Sequence, residues 1–293
     1  MACRRVRDVA AALLAIAAVG MLVAPGGSAE AASRKKKRKT PEPTAVPRPP
    51  DPNRVTITTA DGVALAATFR PLTGRPAAPA VLLVHDFSRE RRDWNALAPE
   101  IEARGLATLA IDLRAHGEST SKKGTLLRIS PRQMSDPGGF PRDVEAASAW
   151  LRERADRIGI VGLSLGGNLA VLATARGQAD AAVVVSANAE RLAPLAGGRP
   201  AAARAALFIA SEDAPQRAES AKALLAAAAE PKNLLLVPGA AHNLVLFDEH
   251  PEAKAAMLDW LAGQLGATPV TTMSAAPAGE PTPAVSPTPL PKQ

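Results

Sequence analysis

Residues 162–166 read Gly-Leu-Ser-Leu-Gly, within the stretch RIGIVGLSLGGNLAVLATARG that spans 157–177. A serine between glycines in the pattern G-x-S-x-G suits a nucleophile held on a sharp strand-to-helix turn. The turn strains the serine backbone, and the flanking glycines leave room that a Cβ would fill. As a bare pattern it arises by chance about 0.1 times in a chain of this length. Its context is far more selective: the apolar run RIGIV precedes it and the helical pattern GNLAVLATAR follows. Such a turn aims the first N–H groups of the helix at the reacting centre, where negative charge develops. Ser164 is the candidate nucleophile. The competing reading is an incidental serine in a glycine-rich turn.

A serine hydroxyl is a poor nucleophile without a base. The chain offers four histidines: His85, His116, His242 and His250. His242 directly follows NLLLVPGAA, after the last strand-like run, where the base of a Ser…acid…His order arrives. His250 precedes Pro251 at a helix start and reads as a solvated cap. His85 ends a strand and His116 sits in a loop, where each can satisfy local hydrogen bonds. The orienting acid belongs between serine and base. In LFIASEDAPQRAES, Glu212 and Asp213 lie just past an apolar run, and Asp213 is the candidate. The alternative for both is a favourable charge at the start of the next helix.

These residues need a scaffold, and the pattern around them supplies one. RVTITTADGVALAATFR is two strand-like runs joined through Asp61-Gly62, a strong hairpin signal. Further buried-strand runs are AVLLVH (80–85), LATLAID (106–112), RIGIVG, AAVVVS (181–186), AALFIA (205–210) and NLLLVP (233–238). Helical spacing separates them in DWNALAPEIEARG, FPRDVEAASAWLRER, 166–176 and 214–229, and closes the unit at 251–265. Alternating buried strands and helices predict an α/β fold: a doubly wound, mainly parallel sheet with an antiparallel N-terminal hairpin and no large lid domain. Sites in such sheets sit at the carboxyl ends of strands.

Composition bounds the rest. The chain has 293 residues, 47% of them apolar, with 3% aromatics and no tyrosine, so alanine and the aliphatics must fill the core. Its net charge of +7 is not a nucleic-acid footprint. Residues 1–40 hold nine cations against two acids, and the remainder balances at 26 of each. Arg4, Arg5 and Arg7 followed by a short apolar run and small residues predict a signal peptide over 1–31, with an uncleaved anchor as the other reading. The sole cysteine, Cys3, lies inside it. A basic and proline-rich linker (32–53) follows, whose RKKKRK at 34–39 reads as a solvated spacer or as a contact for anionic membrane or wall polymer. The folded unit spans 54–265, and an Ala/Pro/Thr-rich tail (266–293) is expected to be disordered. In the loop 119–141, Lys122, Lys123, Arg128 and Arg132 read as a solvated rim or as a preference for anionic substrates. The pattern thus predicts an exported protein, periplasmic or extracellular, monomeric, acting on a small molecule and not on nucleic acid. Neither a metal-ligand cluster nor a phosphate-cradling glycine loop occurs in the pattern, so no cofactor and no metal are expected.

Taken together, these stretches resemble the α/β-hydrolase superfamily over about 54–265, most of all its dienelactone-hydrolase-like and esterase members. GLSLGG resembles the nucleophile elbow, VLLVHDF the strand end that lends one oxyanion N–H, DLRAHGES (112–119) the loop bordering the site, and PGAAHNLVLF the segment with the catalytic histidine. The resemblance implies a triad of Ser164, His242 and Asp213, with an oxyanion hole formed by the N–H groups of Phe87 and Leu165. It implies hydrolysis of carboxylic esters or related acyl bonds through an acyl-enzyme. Esterase, thioesterase and peptidase chemistry all remain open. Three departures stand out. Asp86 replaces the usual glycine beside the oxyanion hole, and Ala115 replaces a glycine in the second loop. With Ser211 at the family's glycine position, the acid position falls on Ala214, one residue after Asp213. The rival reading is a non-catalytic binding protein on the same scaffold at the cell surface.

Overall fold

The computed structural model describes residues 51–128 and 139–270. The expected signal segment, nearly all of the linker, the tail beyond 270 and Arg132 of the rim loop lie outside the described residues.

Ten strands form one sheet among the described residues. They are β1 (Arg54–Thr58), β2 (Val63–Arg70), β3 (Ala80–Val84), β4 (Ala107–Ile111), β5 (Ser121–Lys122), β6 (Thr125–Leu126), β7 (Ile158–Leu163), β8 (Ala181–Val185), β9 (Arg204–Ser211) and β10 (Ala229–Val237). The order is β10-β9-β8-β7-β3-β4-β2-β5-β6, with β1 paired to β2. From β10 to β4 every pairing is parallel, and β2 runs antiparallel to β1, β4 and β5. The doubly wound sheet with its antiparallel hairpin is therefore the observed architecture.

The apolar runs form strands because each can bury both faces. Along β3, Ala80, Leu82 and Val84 join one core while Val81 and Leu83 join the other. Ile158 and Ile160 of β7 likewise oppose Val161 and Leu163. At roughly 25 cal/mol per Å² of apolar surface removed from water, these two cores are the main stabilising term. The helix Leu165–Ala175 is buried along its length, and Gly166, Gly167, Ala170 and Ala173 let it lie close to the sheet. The sheet order thereby brings the carboxyl ends of β3 and β7 together, where His85-Asp86-Phe87 and Ser164 emerge.

Local departures from the sequence pattern have local causes. The helical stretch 93–105 is split into a 3-10 turn, Arg91–Asn95, and a short helix, Ala98–Ala103, whose second residue is Pro99. The polar loop carries the hairpin β5–β6, turned by Lys123 and Gly124 at positive φ. The helix expected over 214–229 is Pro215–Ala227, because Ala229 already pairs with Arg204 as β10 begins.

Candidate active site

Ser164 occupies the turn between β7 and the helix Leu165–Ala175 with φ 49° and ψ −103°, a strained conformation for a residue bearing a Cβ. The glycines that flank it have steric reasons. A Cβ on Gly162 would lie 2.0 Å from the Gly166 carbonyl oxygen, and one on Gly166 would lie 2.3 Å from that of Val84. The Ser164 N–H donates to the Val185 carbonyl at 2.8 Å, and its own carbonyl accepts from Asn168 N–H at 3.1 Å. The backbone is thus fixed on both sides while the side chain faces a cavity of about 260 Å³.

Asp86, Phe87, Phe140, Leu165, Asn168, Ser186, Asn188, Arg191, Gln216 and Arg217 complete that cavity. Asp86 stands at the Ser164 end, and Arg191 and Arg217 approach from the segments after β8 and β9. Asn168 is 0% exposed and neither its amide nitrogen nor its oxygen has a protein partner; the Ser186 hydroxyl, 2% exposed, has none either. Sequence reasoning missed Asn168, Ser186, Arg191 and Arg217. For Asn168 a signal existed: an amide inside an otherwise apolar helix.

Phe87 and Leu165 both border the cavity, and their N–H groups converge on one point. That point is held by the Asp86 carboxylate: its Oδ1 accepts from Phe87 N–H at 2.6 Å and lies 3.5 Å from Leu165 N. Its Oδ2 accepts from the Asn243 side-chain amide at 2.8 Å.

His85 explains how this strand end is fixed. It is 0% exposed. Its Nε2 accepts the Leu113 N–H at 2.9 Å, so its Nδ1–H must donate to the Asp86 carbonyl, 2.6 Å away. One nitrogen donates and the other accepts, which is a neutral ring, and burial pushes its pKa down to about 3. His85 is a clamp on the Asp86 backbone. His116 donates through Nδ1 to the Arg114 carbonyl at 2.9 Å and stacks edge-on against Phe87, with burial lowering its pKa.

The loop 112–119 is braced by ion pairs. Asp112 is fully buried and accepts from the Arg91 N–H, the Arg91 guanidinium and the Glu118 N–H. Gly117 is required beneath it, since a Cβ there would meet the Asp112 carboxylate at 2.3 Å. Arg114 joins Asp61 and Asp143, at 2.9 Å and 2.7 Å. Burial raises Asp143 to about 6 against the pull of that guanidinium. Ala115 has φ 63°, the left-handed region where the family's glycine would be unstrained.

Asp213 and His242 lie on adjoining loops. The Asp213 carboxylate accepts the Gly239 N–H at 3.1 Å, and its own N–H donates to the Gly239 carbonyl at 2.9 Å. Buried Ser211 bonds through its hydroxyl to the Ala241 carbonyl, next to His242. The loop is therefore pinned beside the candidate acid. The His242 imidazole itself is exposed, and no hydrogen bond joins it to Ser164 or to Asp213. His250 caps the final helix, with Nδ1 at 3.0 Å from Glu252. Ala214, at the family's acid position, is buried.

Comparisons with known proteins agree with this fold. Residues 81–225 match the family model described as the alpha/beta hydrolase family. An uncharacterised protein of Mycobacterium tuberculosis is 29% identical over 69% of this chain and 76% of its own length. Among solved structures, an esterase of Pyrococcus furiosus superposes with a TM-score of 0.52 at 19% identity, covering 73% of this chain and 91% of its own. A dienelactone hydrolase of Anabaena variabilis superposes with a TM-score of 0.54 at 22% identity, covering 73% and 95%. At these identities the likeness to the two enzymes is one of fold.

Proposed function

We propose, on the premise that this chain belongs to the α/β-hydrolase superfamily, that it is an exported serine hydrolase of carboxylic esters or related acyl bonds. One observation carries the reading: Ser164 stands in a strained φ 49° turn between two sterically required glycines, facing a cavity into which two backbone N–H groups converge. Strain of this kind persists only where the surrounding structure enforces it, and here it exposes a hydroxyl.

In this mechanism the Ser164 Oγ attacks the acyl carbon as His242 takes its proton. The carbonyl oxygen becomes an oxyanion received by the N–H groups of Phe87 and Leu165. His242 returns the proton to the leaving group, an acyl-enzyme remains, and water deacylates it by the same steps in reverse roles. Asp213 accepts the imidazole Nδ1–H and so keeps Nε2 unprotonated to take the serine proton. The loop that Asp213 and Ser211 pin carries His242, whose exposed imidazole must turn inward to engage Ser164 in this mechanism. Arg4, Arg5, Arg7 and the apolar run after them support export, and the basic run at 34–39 supports weak contact with anionic surfaces. The protein acts as a monomer on a small substrate, without metal or cofactor.

Hydrolysis of short-chain p-nitrophenyl esters tests the reading. Purified protein should turn them over, and Ser164→Ala should lower kcat by about 10³ or more. A second reading is favoured by Asp86, whose carboxylate already fills the oxyanion position. It is a binding protein on a hydrolase scaffold, for which Ser164→Ala would leave ligand affinity intact and no ester would be turned over.

A further inference from the structure

We infer that Asp86 is an internal competitor for the oxyanion site: its carboxylate sits where an acyl oxygen must bind, and it decides which substrates Ser164 can turn over. The inference rests on the serine-hydrolase reading above.

The geometry approaches that of a bound oxyanion, with one donor contact short and the second long. A single oxygen, Asp86 Oδ1, receives the Phe87 N–H at 2.6 Å and faces Leu165 N at 3.5 Å. These are the two donors that a tetrahedral intermediate needs. A carboxylate oxygen matches an oxyanion in size and in sign of charge, and hydrogen bonds to ionised acceptors are the stronger kind. While Asp86 holds this position, an ester carbonyl meets an occupied pair of donors. It also meets a negative charge beside the place where its own must develop. Both effects oppose the transition state, through lost donors and through like-charge repulsion in a partly dehydrated pocket.

The same carboxylate reaches the loop of the candidate base. Asp86 Oδ2 accepts from the side chain of Asn243, which follows His242 and is held at φ 57°. One group therefore links the filled oxyanion site to the loop on which His242 faces solvent. Withdrawal of the carboxylate frees the two N–H donors and Asn243 together. An acyl substrate must drive that withdrawal with its own binding energy. Small neutral esters, with few other contacts in the 260 Å³ cavity, should be turned over slowly. Larger acyl compounds that fill the cavity are the favoured class.

The Asp86 backbone is not free to move aside, because the His85 ring holds its carbonyl at 2.6 Å. Displacement is thus confined to the Asp86 side chain, which makes substitution there a clean probe.

The test compares wild type with Asp86→Ala, Asp86→Asn and Asn243→Ala, each first shown to be folded by circular dichroism. Two quantities are read: kcat/KM for p-nitrophenyl acetate, and inhibition by phenylboronic acid, which forms an anionic tetrahedral adduct on a reactive serine. Asp86→Ala should raise kcat/KM tenfold or more and tighten boronate inhibition in parallel. Asn243→Ala, which removes the side-chain tether and leaves the carboxylate, should raise both by a smaller factor. Asp86→Asn, which removes the charge and keeps the shape, should fall between wild type and Asp86→Ala. A merely structural Asp86 would not move the boronate affinity. If folded Asp86→Ala and Asn243→Ala equal or trail wild type while wild type hydrolyses the ester, the inference is overturned and the serine-hydrolase reading stands. If no protein hydrolyses the ester or binds the boronate, both are overturned. Should Asp86→Ala fail to fold, the other two variants decide in the same way.

Discussion

Asp213 and Gly239 hold each other twice: the Asp213 N–H donates to the Gly239 carbonyl at 2.9 Å, and the Gly239 N–H donates to the Asp213 carboxylate at 3.1 Å. Gly239 lies three residues before His242. The candidate acid is therefore already fastened to the loop of the candidate base, although it stands one residue before the family's usual acid position. Asp213→Asn should lower kcat toward esters by about 10²–10⁴, the range expected when a triad loses the acid that sets the imidazole tautomer. Glu212→Gln, at the neighbouring exposed position, should change kcat less than twofold. Steady-state kinetics on the two variants checks this, and the reverse pattern would transfer the role to Glu212.

Ala115 carries a strain that glycine would relieve. Its φ of 63° lies in the left-handed region, which costs a Cβ-bearing residue roughly 1–2 kcal/mol. Part of that gain is offset by the greater freedom of glycine in the unfolded chain. Ala115→Gly should raise unfolding stability by about 0.5–1 kcal/mol in a urea titration. A destabilised variant would mean that the methyl group packs more favourably than the backbone is strained.

His85 sets part of the acid sensitivity of the fold. Its pKa is lowered to about 3 in the folded state against 6.5 ordinarily, so between those values the unfolded chain binds a proton that the folded chain refuses. The stability it contributes is present above pH 6.5 and is lost as pH falls toward about 3. Chemical denaturation at several pH values should show this loss beginning below pH 6.5. In His85→Gln, less stable overall, the acid slope should be shallower by up to one proton. An unchanged slope would contradict the neutral, buried imidazole.

What could be read from the sequence follows from how local each constraint is. The elbow was legible because β7, Ser164, the glycines and the helix are contiguous, and each position has its own steric reason. The sheet was legible because its parallel strands are short apolar runs. The partners of Asp86 were not: Phe87 is adjacent, but Leu165 and Asn243 come from distant segments, and only the assembled sheet brings them to one carboxylate. His85 shows the same limit, since its Leu113 partner lies at the end of the neighbouring strand. The cavity wall of Ser186, Arg191 and Arg217 depends on how the segments after β8 and β9 fold back, and no periodicity encodes that.

The central claim is that Ser164 is a nucleophile, and covalent labelling with a fluorophosphonate probe tests it most directly. Folded wild-type protein should be labelled at Ser164, located by peptide mass, and Ser164→Ala should not be labelled. Absence of labelling in folded wild type and in Asp86→Ala, or equal labelling of Ser164→Ala, would contradict it.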